Sequence, residues 1–305
     1  MRIERTKAKE NQIPTRQYPS YTADGKVRRI TLGKSSFTVP YRWTYYQYLI
    51  LGVYTMVFSK EFLNDDNNDS VLRKMYKAHI DKVQSETSLF ILTNADAYLI
   101  YLASDLEQLV AKNSLPEGII KRLRSTNDGE MRGAIYEITM AAAVTRTGYK
   151  IDWLTEPSRP EFTAYGKEVL IDFEAKRRDR TGRINYDLEI EVRAIEKNLR
   201  KALKKKTMNQ YVIFMDTDLP PGPAQKYNEI MEAMMKKIGL HEQKKIVVVT
   251  TNTGYEHDPT VTDFGKNSVA MYKSDDGVNL HEVKKIILQM HAKLPKDASS
   301  SGWPI

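Results

Sequence analysis

The pattern of apolar and polar residues along the chain changes near residue 129. Before that point, apolar residues interspersed with polar ones predict helices at 41–59, 71–84 and 88–112. After it, short apolar runs alternate with helical stretches. We therefore expect an irregular basic N-terminal arm at 1–40, a helical region at 41–127, a larger domain at 128–293 and a loose C-terminal tail at 294–305.

From Glu130 onward the pattern predicts the order α-β-β-β-α-β-α-β. These elements lie at 130–147, 150–154, 159–164, 168–176, 186–206, 210–216, 223–240 and 245–251, before a last strand and helix at 268–272 and 280–293. Gly148 suits the end of the first helix. The first three strands can form a meander, and the later apolar strands are typical of a sheet covered on both faces. We expect an α/β fold with a mixed sheet flanked by helices.

The strand predicted at 168–176 is unusual because its two faces differ so strongly. Side chains alternate between the faces of a strand. One face carries Val169, Ile171, Phe173 and Ala175, and the other carries Leu170, Asp172, Glu174 and Lys176. Two carboxylates and an ammonium side by side are explained either by an exposed face or by a metal-dependent active site.

Composition excludes several classes of protein. The chain has 305 residues and no cysteine, so disulfides, thiolate metal sites and cysteine nucleophiles are excluded. The segment MRIERTKAKENQ has no apolar core like that of a signal peptide. The most apolar run, Tyr45–Phe58, is too short to span a bilayer. We expect a cytoplasmic protein with no membrane partner.

The net charge of +8 is unevenly distributed along the chain. Residues 1–34 carry nine basic against three acidic side chains, and residues 176–206 carry twelve against five. Two basic blocks on a mildly acidic remainder indicate a polyanion-binding surface. A solvated tail and a solvated helix face are the alternative explanation of the same charges.

A hairpin that turns near Gly166 would bring Glu161 close to Glu174. Two carboxylates from adjacent strands can hold Mg²⁺, which prefers hard oxygen ligands and keeps several waters. Lys176, on the same face as Glu174, can orient one of those waters or deprotonate it if its proton affinity is shifted. The metal would also polarise a phosphoryl oxygen.

A third carboxylate, Glu137, lies in the helix that precedes these strands. It falls on one stripe with Ala134, Ala141 and Val144 at helical spacings of three and four. The helix face that packs on the sheet therefore carries one acid among small residues. Burying an uncompensated carboxylate is costly, so we expect a metal or a neighbouring lysine to compensate it.

Glu137 in a helix, Pro160-Glu161 and then Glu174-Ala175-Lys176 together resemble the PD-(D/E)xK phosphodiesterase superfamily, which has the restriction-endonuclease-like fold. That superfamily shares an α-β-β-β-α-β core, the order predicted for residues 129–251. The resemblance does not extend to the helical N-terminal region. It implies Mg²⁺-dependent hydrolysis of phosphodiester bonds, with Mn²⁺ as an alternative ion.

The resemblance also implies roles for individual residues. Glu161 and Glu174 would ligate the metal together with the backbone carbonyl of Ala175. Lys176 would act on the attacking water, and Glu137 would complete the site directly or through water.

The chain departs from the family pattern at Glu161, because the family usually has Asp after the proline. Glu has the same charge and a longer reach, which changes the expected geometry of the metal site. Asp172 shares the face of Glu174 and is a second candidate ligand, a partner for Lys176 or a solvated residue. Four arginines follow the motif and are candidate phosphate contacts: Arg177, Arg178, Arg180 and Arg183.

The expected protein is thus a metal-dependent endonuclease that acts on nucleic acid, with DNA as the favoured substrate and a role in restriction or phage defence. A homodimer is expected, since cutting both strands of a duplex generally calls for two active sites. The alternatives are a non-catalytic nucleic-acid-binding protein on the same fold and a structural protein whose basic blocks only increase solubility.

Overall fold

The structure is a computed structural model. It describes residues 5–7, 17–21, 27–32, 35–40, 45–85, 94–112, 114–166, 169–178, 188–217, 224–243, 245–252, 268–274 and 279–290. A six-stranded mixed sheet flanked by helices is the centre of the fold, which confirms the expected α/β class. None of the helices in these ranges is both long and apolar enough to cross a membrane.

Four short strands form a separate antiparallel sheet near the N-terminus, where the sequence analysis expects an irregular arm. They are β1 (Arg5–Lys7), β2 (Gln17–Tyr21), β3 (Val27–Leu32) and β4 (Ser35–Pro40), in the order β1-β4-β3-β2. The sequences VRRITL and SSFTVP are rich in β-branched residues, which favour strands. The prolines and glycines scattered through this region are the reason why the sequence pattern predicted an irregular arm instead.

The central sheet has the order β10-β9-β8-β7-β6-β5. Its strands are β5 (Lys150–Trp153), β6 (Phe162–Gly166), β7 (Val169–Arg177), β8 (Gln210–Asp216), β9 (Ile246–Asn252) and β10 (Ser268–Lys273). Strands β5, β6 and β7 are antiparallel neighbours, β7, β8 and β9 are parallel, and β10 is antiparallel to β9. Strand β7 therefore has an antiparallel neighbour on one side and a parallel neighbour on the other.

Nine helices are found in the described ranges. They are α1 (Tyr45–Val57), α2 (Lys60–Asn64), α3 (Val71–Ser85), α4 (Asn94–Ala111), α5 (Glu117–Leu123), α6 (Asp128–Arg146), α7 (Leu188–Leu203), α8 (Ala224–Lys237) and α9 (Leu280–Met290). The predicted end of α6 is confirmed: Gly148 has a φ of +94°, a conformation that favours glycine.

One hydrophobic core joins the helical region to one face of the central sheet. Helix α6 contributes Ala134, Ala141 and Val144, which are fully buried, and β7 contributes Phe173 and Ala175. Buried residues of α1 and α4 belong to the same cluster. The stripe of small residues predicted on α6 is thus the surface on which helices and sheet meet.

The opposite face of the sheet has a second core. Helices α7 and α8 cover it with Leu199 and Met234, which pack with Ile213 of β8 and Val248 of β9. Successive residues of β8 alternate between the two cores, as a strand buried on both faces requires. Side chains of β7 that point away from Phe173 and Ala175 therefore point toward this second, α7-side face.

Candidate active site

Glu174 lies near the carboxyl end of β7 and is fully buried. Its neighbours Phe173 and Ala175 belong to the core under α6, so strand alternation directs the Glu174 side chain to the α7-side face. Burial raises the pKa of this carboxyl above its ordinary value, and the adjacent Lys176 partly offsets that effect.

The antiparallel pairing of β6 with β7 brings Glu161 to Glu174. Phe162 is opposite Phe173, and the Glu161 N–H donates to the Phe173 carbonyl at 2.9 Å. Glu161 is thereby fixed beside the segment of β7 that carries Glu174. The predicted hairpin does connect the two strands, and Glu161 keeps 23% of its side chain exposed.

Lys176 joins the two carboxylates. Its Nζ lies 2.5 Å from Glu174 Oε1 and 3.1 Å from Glu161 Oε1. Burial lowers the pKa of this lysine, but Glu174 and Glu161 raise it by more, so the net pKa is above the ordinary value. Lys176 is therefore a charged ammonium shared by the two acids.

The oxygen atoms near Glu174 suit a hard divalent cation. Both Glu174 oxygens are buried, and neither receives a well-directed hydrogen bond from the residues that the structure describes. The Phe173 carbonyl points toward β6, and carbonyls two residues apart in a strand point the same way, so the Ala175 carbonyl also points to the β6 side. The β6–β7 hydrogen bonds end before this position, and Pro160 has no N–H to donate to it. Two carboxylates, a carbonyl and waters form a set that fits Mg²⁺.

This set contains only two acidic side chains. Among the described residues, no group of three or more Asp, Glu, His or Cys side chains is arranged to hold a metal ion. Mg²⁺ commonly uses one or two carboxylates and keeps several waters, so a pair of acids is chemically sufficient.

Glu137 has a different partner from the one expected. Arg122 of α5 donates from Nη1 and Nη2 to its two carboxylate oxygens at 2.6 and 2.9 Å. An arginine therefore compensates this buried acid, in place of the expected metal or lysine. Gly133, one turn earlier in α6, makes room for the guanidinium, because a Cβ there would lie 3.1 Å from Arg122 Nη2.

Glu137 nevertheless belongs to the same electrostatic cluster. Burial raises its pKa, the Arg122 hydrogen bonds oppose that rise, and the charge of Glu161 adds to it. The pKa of Arg122 is in turn raised: burial lowers it, and the charges of Glu137 and Glu161 outweigh burial. Sequence reasoning missed Arg122 because nothing near it in the chain resembles a motif.

Asp172 is fully buried, which excludes the solvated alternative. It accepts hydrogen bonds from Thr163 Oγ1 at 2.7 Å, from the Met208 N–H at 3.2 Å and from Asn209 Nδ2 at 3.1 Å. These bonds tie β6, β7 and the segment before β8 together. Asp172 is thus satisfied as a structural acceptor and has little capacity left for a metal.

Lys205 is a second lysine at the site and was not singled out by the sequence. It follows α7, and its Nζ lies 3.6 Å from Glu174 Oε1 and donates to the Pro157 carbonyl at 2.8 Å. Its side chain is 18% exposed. In the sequence it is one member of a lysine run, and only tertiary packing distinguishes it from its neighbours.

The arginines after the motif have different environments. The Arg177 side chain is 8% exposed and lies 3.8 Å from Asp216, so it is not open to phosphate in this conformation. The Arg178 N–H donates to the Asp216 carbonyl at 3.2 Å, and the residue is partly exposed. Arg180 and Arg183 lie outside the described residues.

The charges of the site are balanced. Three carboxylates face three cations: Glu137, Glu161 and Glu174 against Arg122, Lys176 and Lys205. A divalent cation would add positive charge to this balanced cluster and would create an attraction for an anionic ligand such as a phosphodiester.

Comparison of the chain with protein-family models, curated proteins and solved structures found no significant match.

Proposed function

We propose that this protein is a Mg²⁺-dependent endonuclease with a restriction-endonuclease-like core. The observation that carries the proposal is the single ammonium of Lys176 held between Glu161 and Glu174, at 3.1 and 2.5 Å, at the carboxyl end of β7. A buried acid, a partly exposed acid and a lysine at one strand end are an arrangement suited to metal-assisted hydrolysis.

The order of elements supports the same proposal. Helix α6, strands β5, β6 and β7, helix α7 and strand β8 follow one another in the order of the superfamily that the motifs resemble. The site acids all come from the first half of this series: Glu137 from α6, Glu161 from the residue just before β6 and Glu174 from β7.

In the proposed mechanism, Glu161, Glu174 and the Ala175 carbonyl would hold Mg²⁺. When bound, the ion polarises a phosphoryl oxygen and stabilises charge on the leaving oxygen. Lys176 would donate a hydrogen bond that orients the attacking water. Glu137 acts indirectly, by holding Arg122 at the edge of the site.

Nucleic acid is the proposed substrate because the site lies within a basic block of the chain. Residues 176–206 carry twelve basic side chains, and two of them, Lys176 and Lys205, lie at the site itself. DNA as substrate and a role in restriction or phage defence are parts of the proposal that rest on the family resemblance. A cytoplasmic location is proposed from the composition and the charged N-terminal segment, and a homodimer from the need for two active sites to cut both strands of a duplex.

A non-catalytic nucleic-acid-binding protein is the second candidate. The balance of three cations against three acids favours it, because the site needs no metal to compensate its buried charge. In that case Lys176 would be a permanent structural partner of Glu174, and nucleic acid would bind without being cut.

A nuclease assay separates the two candidates. Wild-type protein is incubated with duplex DNA, single-stranded DNA and RNA, with Mg²⁺, Mn²⁺ or chelator. We expect cleavage that requires the metal and is lost in Lys176→Met, whereas Glu117→Gln, which removes an exposed acid of α5, should cleave like wild type. Cleavage that survives Lys176→Met would contradict the assigned site, and binding without cleavage would favour the second candidate.

A further inference from the structure

The segment after α7 is docked onto the loop that leads to Glu161. The Lys206 N–H donates to the Ser158 carbonyl at 2.8 Å, and Lys205 Nζ donates to the Pro157 carbonyl at 2.8 Å. These bonds join a basic segment to the chain just before β6. The position of Lys205 relative to the site is therefore fixed by the backbone bond of the next residue and by the bond of its own ammonium.

This docking separates Lys205 from the lysines on either side of it. Lys204 and Lys206 are exposed, whereas Lys205 is directed inward until its Nζ lies 3.6 Å from Glu174 Oε1. That separation is an ion-pair distance and is too long for a hydrogen bond. The ammonium is thus beside a proposed metal ligand without being bonded to it.

The chemistry of an ammonium suggests what Lys205 could bind. A lysine has three N–H donors, and the Pro157 carbonyl uses one of them. Because Lys205 Nζ makes no hydrogen bond to Glu174 Oε1, its two remaining donors can bind an anion on this side of the site without breaking an existing hydrogen bond. Lysine is a common point-charge ligand for phosphate oxygens.

We propose that Lys205 is a second functional lysine of the site and binds a phosphate oxygen of the nucleic-acid strand beside Glu174. This inference rests on the proposed function and adds a substrate-contacting residue to it. Lys176 and Lys205 then have different tasks: Lys176 orients water between the two acids, and Lys205 holds the phosphate from the α7 side.

Equilibrium binding of a fluorescein-labelled 20-base-pair DNA duplex tests this inference, measured by anisotropy in chelator at several salt concentrations. The key variant is Lys205→Gln, because glutamine keeps a donor for the Pro157 carbonyl and removes the charge. We expect about tenfold weaker binding. The slope of log affinity against log salt concentration should decrease by about the amount that one phosphate contact contributes. Lys205→Arg should bind nearly as wild type, and the exposed control Lys204→Gln should change affinity much less.

Urea unfolding of the same proteins shows whether Lys205→Gln remains as stable as Lys204→Gln. If it is less stable, the binding of both variants is measured again at a lower temperature at which each is fully folded, so that the difference in affinity still reports the charge. Lys205→Gln binding as tightly as Lys204→Gln would overturn the inference. The inference and the proposed function fail differently: absence of metal-dependent cleavage by wild type contradicts the nuclease, and unchanged binding by Lys205→Gln contradicts only the role of Lys205.

Discussion

Two carboxylates on the same face of β7 have opposite surroundings. Asp172 and Glu174 are two residues apart, and both are fully buried. Asp172 accepts three hydrogen bonds, from Thr163, Met208 and Asn209. Among the described residues, Glu174 has ion pairs with Lys176 and Lys205, and it receives no well-directed hydrogen bond.

The difference teaches that burial of an acid does not by itself indicate function. The hydrogen bonds of Asp172 repay the cost of burying its charge, and they hold two strands and a loop in place. The cost at Glu174 is repaid only in part, because its pKa is raised by burial despite the adjacent Lys176. An acid kept in that state is a candidate for binding something else.

The largest expected effect is the loss of cleavage in Glu174→Gln. Metal ions supply several kcal/mol of transition-state stabilisation, so removing this ligand should lower the cleavage rate by about 10³-fold. Single-turnover cleavage of duplex DNA in Mg²⁺ measures it. The stability of the variant, measured by urea unfolding, should fall by less than that of Asp172→Asn, because a neutral amide costs less to bury than a carboxylate and Lys176 keeps Glu161 as a partner. A large loss of stability would make Glu174 a structural acid like Asp172.

Asp172→Asn should have the reverse phenotype. The side-chain NH2 of asparagine would face at least one of the three donors, which would then lack an acceptor. We therefore expect a loss of about 3 kcal/mol in the free energy of unfolding. Urea denaturation measures the loss, and cleavage per folded molecule should stay close to wild type. The exposed Asp152→Asn on β5 is the matched control. Normal stability with lost activity would move Asp172 into the catalytic group.

A third buried acid, Asp105 of α4, shows how burial and a neighbouring arginine together set the pKa of a carboxyl. Arg146 lies 2.6 Å away, and Thr139 donates a hydrogen bond at 2.9 Å. Burial still raises the pKa of Asp105 from 3.8 to about 6, with Arg146 opposing the rise. Because the folded state holds the proton more tightly, the stabilisation is complete below pH 3.8 and is lost as pH rises through about 6.

Urea unfolding at pH 4 and pH 7 measures this pH dependence. Wild type should lose about 2–3 kcal/mol more than Asp105→Asn between the two pH values, since each pKa unit corresponds to about 1.4 kcal/mol. Asp105→Asn should be the less stable protein at pH 7, because Arg146 then lacks its carboxylate. Parallel pH profiles for the two proteins would contradict the raised pKa.

The smallest effect is expected for Arg122→Met. Breaking a fully buried ion pair costs about 3–5 kcal/mol, but the Arg122 side chain is 37% exposed, so about 1–2 kcal/mol is expected here. Urea unfolding measures it, with the exposed neighbour Lys121→Met as control. The double variant with Glu137→Gln should recover part of the loss, because the buried acid is then neutral. Additive losses would mean that the pair is not coupled.

The sequence predicted the central sheet well because its signals are local. Alternation along β7, apolar runs in β8 and β9 and the glycine after α6 are each visible within a few residues. The facing of Glu161 and Glu174 also followed from local information, since a short hairpin has few possible pairings. The N-terminal strands were missed because β-branched residues there are mixed with prolines and glycines.

The remaining contacts depend on packing between distant segments. Arg122 and Glu137 are brought together by the packing of α5 on α6, and no periodicity encodes that pair. Lys205 differs from Lys204 and Lys206 only in the direction of its side chain, which the docking of the chain onto Pro157 and Ser158 decides. For the same reason, the hydrogen bonds that satisfy Asp172 could not be foreseen from its place on the strand.

The central claim is that Glu161 and Glu174 together hold a divalent cation. A crystal of the wild-type protein soaked in Mn²⁺ and measured by anomalous diffraction tests it most directly. We predict one strong peak bonded to a Glu161 oxygen and a Glu174 oxygen, with the Lys176 ammonium displaced from its position between them. A map with no peak at these two acids, and with Lys176 still between them, would contradict the claim.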